Sequence, residues 1–439
     1  MANIELLTPT EAAYIATNAY FTLKDWINES PKAGVESRAV VQNRVLGPGN
    51  VGSIVKPNNP TLQSTPLAGA ALENIHTART GLGAGVSSGF GYTLSYTRGS
   101  TKHMIVAARG TRPEMSGKPD LLTDLHGTLT PFMGLGRVHA GFKKTFDSIV
   151  PSVERDRKLI DAADAVHFVG HSLGGAVATL LATHYARRVK SVRLYTFGSP
   201  RVGDFNTYTE IERAIGKANI FRVAHDLDPI SLVAPFPFIH VNPTSKDRYN
   251  LTIKSPVREL FGTANHDMDR YINSTQNQTW SGLSLLAGAL DCDEAIFAKW
   301  LLNDEGGSRQ PGWVQIGCAK TLTILFRLIK YALSKISRTA VLAVTALDLL
   351  SEALYRGAQF IGTLGSQVLS LLRYAATWAG LQVAKGAQFT LSVIRTILAK
   401  MLSAVQSIAA AALATVTRNL VPMSIGFTGA WALTNVSPL

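Results

Sequence analysis

Residues 166–185 run from an apolar stretch, Val166-His167-Phe168-Val169, through Gly170-His171-Ser172-Leu173-Gly174-Gly175-Ala176 into a helix-forming segment, Val177–Tyr185. A strand, a Gly-x-Ser-x-Gly turn and a helix in that order describe a nucleophile elbow, a sharp turn that holds a serine hydroxyl clear of a sheet. Glycines on both sides of Ser172 let the backbone take the strained turn, and the helix behind it presents its N-terminus to the hydroxyl. The pentapeptide alone is a common Gly-Ser turn. Its flanks are what point to chemistry.

The surrounding chain suits such an elbow. From Gly91 onward, short β-rich runs at Tyr92–Tyr96, Met104–Ala108, Val166–Val169, Val192–Phe197 and Ile220–Ala224 alternate with helical stretches at 141–158 and 174–188. Several runs are continuously apolar, as strands buried on both faces are, and interleaved helices predict an α/β sheet with mainly parallel strands. Upstream, Thr8-Pro9 opens an amphipathic helix over 10–26. Residues 30–90 are rich in Gly, Pro, Asn and Ser, with a helix expected near Leu67–Ala78.

A serine hydroxyl attacks only if a histidine takes its proton and a carboxylate orients that histidine, and in this fold the acid and then the histidine follow the serine along the chain. His225-Asp226-Leu227-Asp228-Pro229-Ile230 stands at the C-terminal end of the run Phe221–Ala224, where α/β sites gather their side chains. Asp228 is the acid by this reading, with Asp226 the alternative as a turn residue. Three histidines compete for the base. His225 lies too near the acid in sequence to reach over Ser172, and His240 sits in an apolar run, Phe236–Val241, that reads as a strand. His266, between a loop and a short helix, is the base. The oxyanion of an acyl-transfer intermediate needs donors: the N–H of Leu173 is one, and Thr111, at the Gly110-Thr111 corner after the strand Ile105–Ala108, offers another, although such a corner is as often a simple turn.

Taken in order, Arg109-Gly110-Thr111, Leu122-Thr123-Asp124-Leu125, Val138-His139-Ala140-Gly141-Phe142, Gly170–Ala176, Thr196-Phe197-Gly198-Ser199-Pro200-Arg201-Val202-Gly203 and the acid and histidine segments resemble the class 3, or fungal-type, lipases of the α/β-hydrolase superfamily over roughly residues 90–275. The resemblance implies Ser172 as nucleophile, Asp228 as acid, His266 as base, Thr111 as side-chain oxyanion donor and His240 as a structural histidine. The chain departs from the family in two places. Asp120-Leu121 stand where the family usually has tryptophan, and the segment Arg112–Asp120 is polar where fungal enzymes carry an amphipathic lid.

Composition separates the last third from the rest. The chain of 439 residues carries a formal charge of +13 with only 17% charged and 46% hydrophobic residues, and a mean hydropathy of +0.12. This excludes a disordered chain and a disulfide-stapled scaffold. From Cys318 to Leu439 stand 11 basic and 2 acidic residues, a net +9, which leaves +4 for residues 1–317. In 319–339 the cations Lys320, Arg327, Lys330 and Arg338 gather near one face of an apolar helical pattern, as on a helix favoured at anionic lipid, or equally on one packed against the hydrolase with a solvated basic face. Uncharged runs at 357–372, 401–417 and 419–439 are short or diluted by polar residues, so a helical hairpin array fits better than a transmembrane span. The expected division is an N-terminal helical or irregular segment over 1–60, an α/β-hydrolase domain over 61–280, a linker over 281–317 and an amphipathic helical region over 318–439.

Cys292 and Cys318 are the only cysteines and have no metal-binding spacing, although one bridge between them remains open. No metal or cofactor is implied. The N-terminus shows no ordinary secretory signal, and the Asn-x-Ser/Thr triplets at Asn250, Asn273, Asn277 and Asn435 read as chance matches. The tail lacks aromatic and basic interleaving, so nucleic acid is not the expected partner.

The resemblance implies a serine lipid-ester hydrolase, a lipase or phospholipase A. A basic hydrolase without a signal and with an apolar helical tail further looks like the antibacterial phospholipase effectors of bacterial type VI secretion systems. That likeness implies a spike or adaptor carrier, a cognate immunity protein, a membrane surface met through the tail, and passage from a bacterial cytoplasm to a target-cell membrane or periplasm. The alternatives are a triacylglycerol lipase or intracellular esterase, and a membrane-binding or pore-forming protein on a hydrolase scaffold.

Overall fold

The computed structural model describes residues 6–24, 34–46, 70–80, 86–110, 129–225, 228, 230–232, 249–256, 263–288 and stretches between 351 and 400. Its strands are β1 (Ala71–Thr80), β2 (Val86–Arg98), β3 (Thr101–Ala108), β4 (Leu129–Pro131), β5 (Arg137–His139), β6 (Ala165–His171), β7 (Val192–Phe197), β8 (Ile220–His225) and β9 (Asn250–Ile253). Seven of them form one sheet in the order β1-β2-β3-β6-β7-β8-β9, and β4 and β5 pair separately. β1, β2 and β3 are antiparallel neighbours, whereas β3, β6, β7, β8 and β9 run parallel. This is a mainly parallel α/β sheet with an antiparallel edge.

Alternation along the strands explains why both faces are covered. Ile105 and Ala107 of β3 belong to one apolar cluster with Tyr92, Val169, Tyr195 and Phe221, while Met104, Val106 and Ala108 belong to another with Phe90, Phe168 and Leu194. Successive side chains of a strand point to opposite faces, so a strand apolar at every position needs helices on both sides. All seven residues of β6 are buried.

Helix α1 (Pro9–Asn18) closes the first face. Thr8 caps it through a reciprocal pair: the Glu11 N–H donates to Thr8 Oγ1 at 3.2 Å, and the Thr8 N–H donates to Glu11 Oε2 at 2.8 Å. The chain continues as a 3-10 turn, Ala19–Thr22, that carries Tyr20 and Phe21 into the core. Long-range bonds tie this segment to the far end of the domain, with Thr10 Oγ1 donating to the Thr275 carbonyl at 2.7 Å and Trp280 Nε1 to the Leu7 carbonyl at 2.8 Å.

Further helices among the described residues include α2 (Arg38–Leu46), α3 (Ala140–Val153), α4 (Arg157–Ala162), α5 (Leu173–Tyr185), α6 (Phe205–Ile215), α7 (Met268–Thr275), α8 (Trp280–Gly288) and α9 (Thr363–Trp378). The helix expected over 141–158 is divided: Pro151 lacks the N–H that would bond four residues back, and α3 gives way to a 3-10 turn at Glu154–Asp156 before α4. Of the helix expected near Leu67–Ala78, residues 67–69 lie outside the described residues and 71–78 are strand instead. Local propensity misleads there: Ala71, Leu72 and Glu73 favour a helix in isolation, but β1 pairs with β2 from Ala71↔Ser95 to Thr80↔Val86, and pairing with a buried neighbour overrides so weak a preference.

The tail helix predicted over 319–339, both cysteines and the polar segment 112–120 lie outside the described residues. Among the described residues no helix is long and apolar enough to cross a membrane.

Candidate active site

Parallel pairing brings the ends of β3, β6, β7 and β8 to one level. Ala108 pairs with Gly170, His171 with Phe197, and Phe197 with Val223. Ser172 follows immediately after β6, and Asp228 three residues after the end of β8, so both stand at the carboxyl edge of the sheet.

Ser172 has φ 57° and ψ −130°, a conformation that L-residues seldom adopt and that costs on the order of 1–3 kcal/mol. The turn is held by missing side chains. A Cβ on Gly170 would collide with the Gly174 carbonyl oxygen, one on Gly174 would collide with the Ala108 carbonyl oxygen, and one on Gly175 would stand 2.7 Å from Ser199 Cβ. Backbone bonds complete the clamp: the Ser172 N–H donates to the Phe197 carbonyl at 3.0 Å, and its own carbonyl accepts from the Gly175 N–H at 2.9 Å. Leu173 opens α5, and the first N–H groups of a helix have no acceptor within it.

Asp228 and His266 are both fully buried, and the structure brings them into direct contact. His266 Nδ1 lies 2.8 Å from Asp228 Oδ2 and 3.0 Å from Oδ1. Two further donors converge on the carboxylate, the Tyr271 hydroxyl on Oδ2 at 2.6 Å and the Ile230 N–H on Oδ1 at 2.8 Å. A buried carboxylate demands such partners. A carboxylate only accepts, so Nδ1 carries a ring hydrogen, and in the neutral ring Nε2 then presents a lone pair. Nε2 is buried and has no hydrogen-bond partner among the described residues. Leaving a buried acceptor unpaired costs about 1–3 kcal/mol, which marks the atom for a partner that arrives during function.

Ser172 and the His266–Asp228 pair flank the same two residues. The Ser172 N–H bonds the Phe197 carbonyl, while a Cβ on the next residue, Gly198 at φ +53°, would stand 2.6 Å from Asp228 Oδ2 and 3.0 Å from His266 Nδ1. His171, the residue before Ser172, has its ring 4.4 Å from that of His266. On the other side, a Cβ on Gly110 would reach Ser172 Cβ at 2.8 Å, so the chain leading to Thr111 passes against the serine. Thr111 itself, with Asp226 and His240, lies outside the described residues. His225 is occupied elsewhere, with Nδ1 2.7 Å from the Asn265 carbonyl and Nε2 2.9 Å from Ser274 Oγ.

The family model of class 3 lipases matches residues 105–238. This chain carries a class 3 lipase domain. The matched segment holds Ser172 and Asp228 and ends before His266, which the 3-10 turn Thr263–His266 supplies from outside it. A similar curated protein is the secreted mono- and diacylglycerol lipase 1 of Fusarium solani, 33% identical over 111 residues, or 24% of this chain and 33% of that one. Another is the secreted mono- and diacylglycerol lipase A of Penicillium cyclopium, 34% identical over 121 residues, 27% of this chain and 37% of that one. This chain therefore spans about a third of the length of the curated relatives it matches. Similar solved structures include the lipase of Rhizopus microsporus var. chinensis, at 20% identity, 56% of this chain, 73% of that chain and TM-score 0.34. The mono- and diacylglycerol lipase of Aspergillus oryzae stands at 17% identity, 54%, 78% and TM-score 0.36.

Three polar residues at the site carry no role in the sequence reading: Tyr271, His171 and Tyr20. Tyr271 donates to Asp228 and accepts from the His225 N–H at 3.1 Å, and burial together with the Asp228 charge pushes its phenol well above the usual tyrosine range. It stands in the segment that supplied His266, so its position was a usable signal. Tyr20 gave none, because it arrives from the turn after the first helix, about 150 residues before the elbow it touches.

Proposed function

We propose that the chain hydrolyses carboxylic esters of lipids through an acyl-enzyme on Ser172. The observation that carries this is the buried His266 ring, oriented by Asp228 at Nδ1 and unpartnered at Nε2, beside a serine held at positive φ. As Ser172 Oγ adds to the acyl carbonyl carbon, its proton passes to His266 Nε2, and Asp228 stabilises the imidazolium that forms. The tetrahedral oxyanion is held by the Leu173 N–H and by Thr111. Collapse expels the alcohol, which takes the proton from Nε2. A water molecule then adds to the acyl-serine by the same route and releases the fatty acid.

The names of the curated relatives speak of secreted mono- and diacylglycerol lipases, which supports acylglycerols as substrates and an extracellular setting. The +9 charge of residues 318–439 supports anionic phospholipid surfaces. An antibacterial phospholipase A effector, delivered by a spike or adaptor and opposed by an immunity protein, is the finer form of the second reading.

Product analysis by mass spectrometry tests the reaction. Wild-type protein is incubated with phosphatidylethanolamine and phosphatidylglycerol vesicles and, separately, with a diacylglycerol emulsion. Fatty acid is expected from wild type and none above background from Ser172→Ala; fatty acid from both proteins would overturn the mechanism. Lysophospholipid marks the phospholipase arm, and toxicity on delivery to a bacterial periplasm, lost in Ser172→Ala, marks the effector.

A further inference from the structure

The end of β3, the elbow and the histidine loop are joined by hydrogen bonds whose direction is determined at every step. The Gly110 N–H donates to the Tyr20 hydroxyl oxygen at 3.1 Å. Tyr20 OH lies 2.8 Å from His171 Nδ1, and His171 Nε2 lies 2.9 Å from the backbone carbonyl of His266. A carbonyl can only accept, so His171 Nε2 carries the ring hydrogen. In a neutral ring Nδ1 is then the acceptor, and the Tyr20 hydroxyl is its donor. Burial and the neighbouring His266 push the His171 pKa well down, in keeping with a neutral ring.

Gly110 is held from its other side as well. Arg109, fully buried, donates through Nη1 to the Gly110 carbonyl at 2.6 Å, through Nε to the Gly89 carbonyl at 2.7 Å and through Nη2 to Ser88 Oγ at 2.8 Å. Both polar groups of Gly110, the residue before Thr111, are thereby pinned, one by Tyr20 and one by Arg109. No side chain larger than hydrogen fits here, since a Cβ on Gly110 would collide with the Tyr20 hydroxyl.

We propose that Tyr20 is a positioning residue for the hydrolase reaction: through His171 it fixes the backbone of His266, and through Gly110 it fixes the strand end that lies against Ser172, so that the base and the nucleophile are held in register with each other. This rests on the reaction proposed above. Tyr20 and His171 make their hydrogen bonds to the backbone around the base and the strand end, and through them set the relative placement of the two reacting groups. Misplacement of such groups by fractions of an ångström acts on the transition state and leaves ground-state binding of the acyl chain alone.

The test is steady-state hydrolysis of p-nitrophenyl butyrate by wild type, Tyr20→Phe, His171→Gln and the double variant, each checked for folding by circular dichroism. Glutamine retains a donor toward the His266 carbonyl but has no acceptor nitrogen for Tyr20. Tyr20→Phe is expected to lower kcat about tenfold, the rate equivalent of one hydrogen bond, at unchanged KM. The double variant should lose no more than the more impaired single variant, because all three cut the same chain. Losses that multiply, a Tyr20→Phe protein as fast as wild type, or a rise in KM at constant kcat would overturn the proposal. Should Tyr20→Phe not accumulate in folded form, His171→Gln carries the test through the same split between kcat and KM. An inactive wild type would refute the hydrolase reading itself, whereas an active wild type matched by its variants refutes only the role of Tyr20.

Discussion

The two halves of the candidate site are held in place by opposite means. Around Ser172 the geometry depends on atoms that are absent: Gly170, Gly174 and Gly175 bring their neighbours so close that no Cβ fits. Around His266 it depends on bonds that are present, since Asp228, Tyr271, Ile230 and His171 all donate to or accept from the pair or its backbone. Steric exclusion is all or none, while a hydrogen-bond network can lose one member and keep its shape. The elbow is therefore expected to fail in folding, and the acid–base half to fail in rate.

The largest effect should come from Gly170→Ala, whose methyl group would meet the Gly174 carbonyl with no flexible side chain to yield. A loss of about 4 kcal/mol or more is expected, read as failure to accumulate folded protein or as a collapse of the thermal transition. A folded and active Gly170→Ala protein would break the comparison. On the other side, His266→Ala should leave the circular dichroism spectrum intact while kcat falls by about 10⁴-fold.

Tyr271→Phe sharpens the contrast further. It removes one of the donors on Asp228 and leaves His266 Nδ1 and the Ile230 N–H in place. A fall in kcat of about tenfold with little change in KM is expected from steady-state kinetics.

A smaller effect, on stability rather than rate, belongs to His76 on β1. Burial first, and the Arg155 charge second, lower its pKa from 6.5 to about 3. Between those values the unfolded chain binds a proton that the folded one does not, so stability is complete above pH 6.5 and is lost as the pH falls toward 3. The slope can reach about 1.4 kcal/mol per pH unit. His76→Asn should flatten this acid limb in denaturant titrations between about pH 4 and pH 7 without altering kcat near pH 8.

The same contrast explains what could be read from the chain. The elbow is a local object: residues 166–176 hold the strand, the glycines and the serine, so its conformation is written contiguously. Chain order and local context single out Asp228 and His266, and the structure places them 2.8 Å apart. Tyr20 was not, because nothing near it in sequence indicates that the first helix packs beneath an elbow formed about 150 residues later. His171 stood in the motif itself, yet its role depends on the carbonyl of His266, a contact of 95 residues' separation. β1 failed for a related reason. Its Ala, Leu and Glu favour a helix locally, and only its partner strand decides otherwise.

The most direct measurement of the central claim, that His266 and Asp228 activate Ser172, is covalent capture with a p-nitrophenyl alkylphosphonate followed by peptide mapping. The account predicts one phosphonyl adduct per chain, on the peptide bearing Ser172, formed at a rate that falls by orders of magnitude in His266→Ala. An adduct on another residue, or labelling of Ser172 that proceeds as fast without His266, would contradict it.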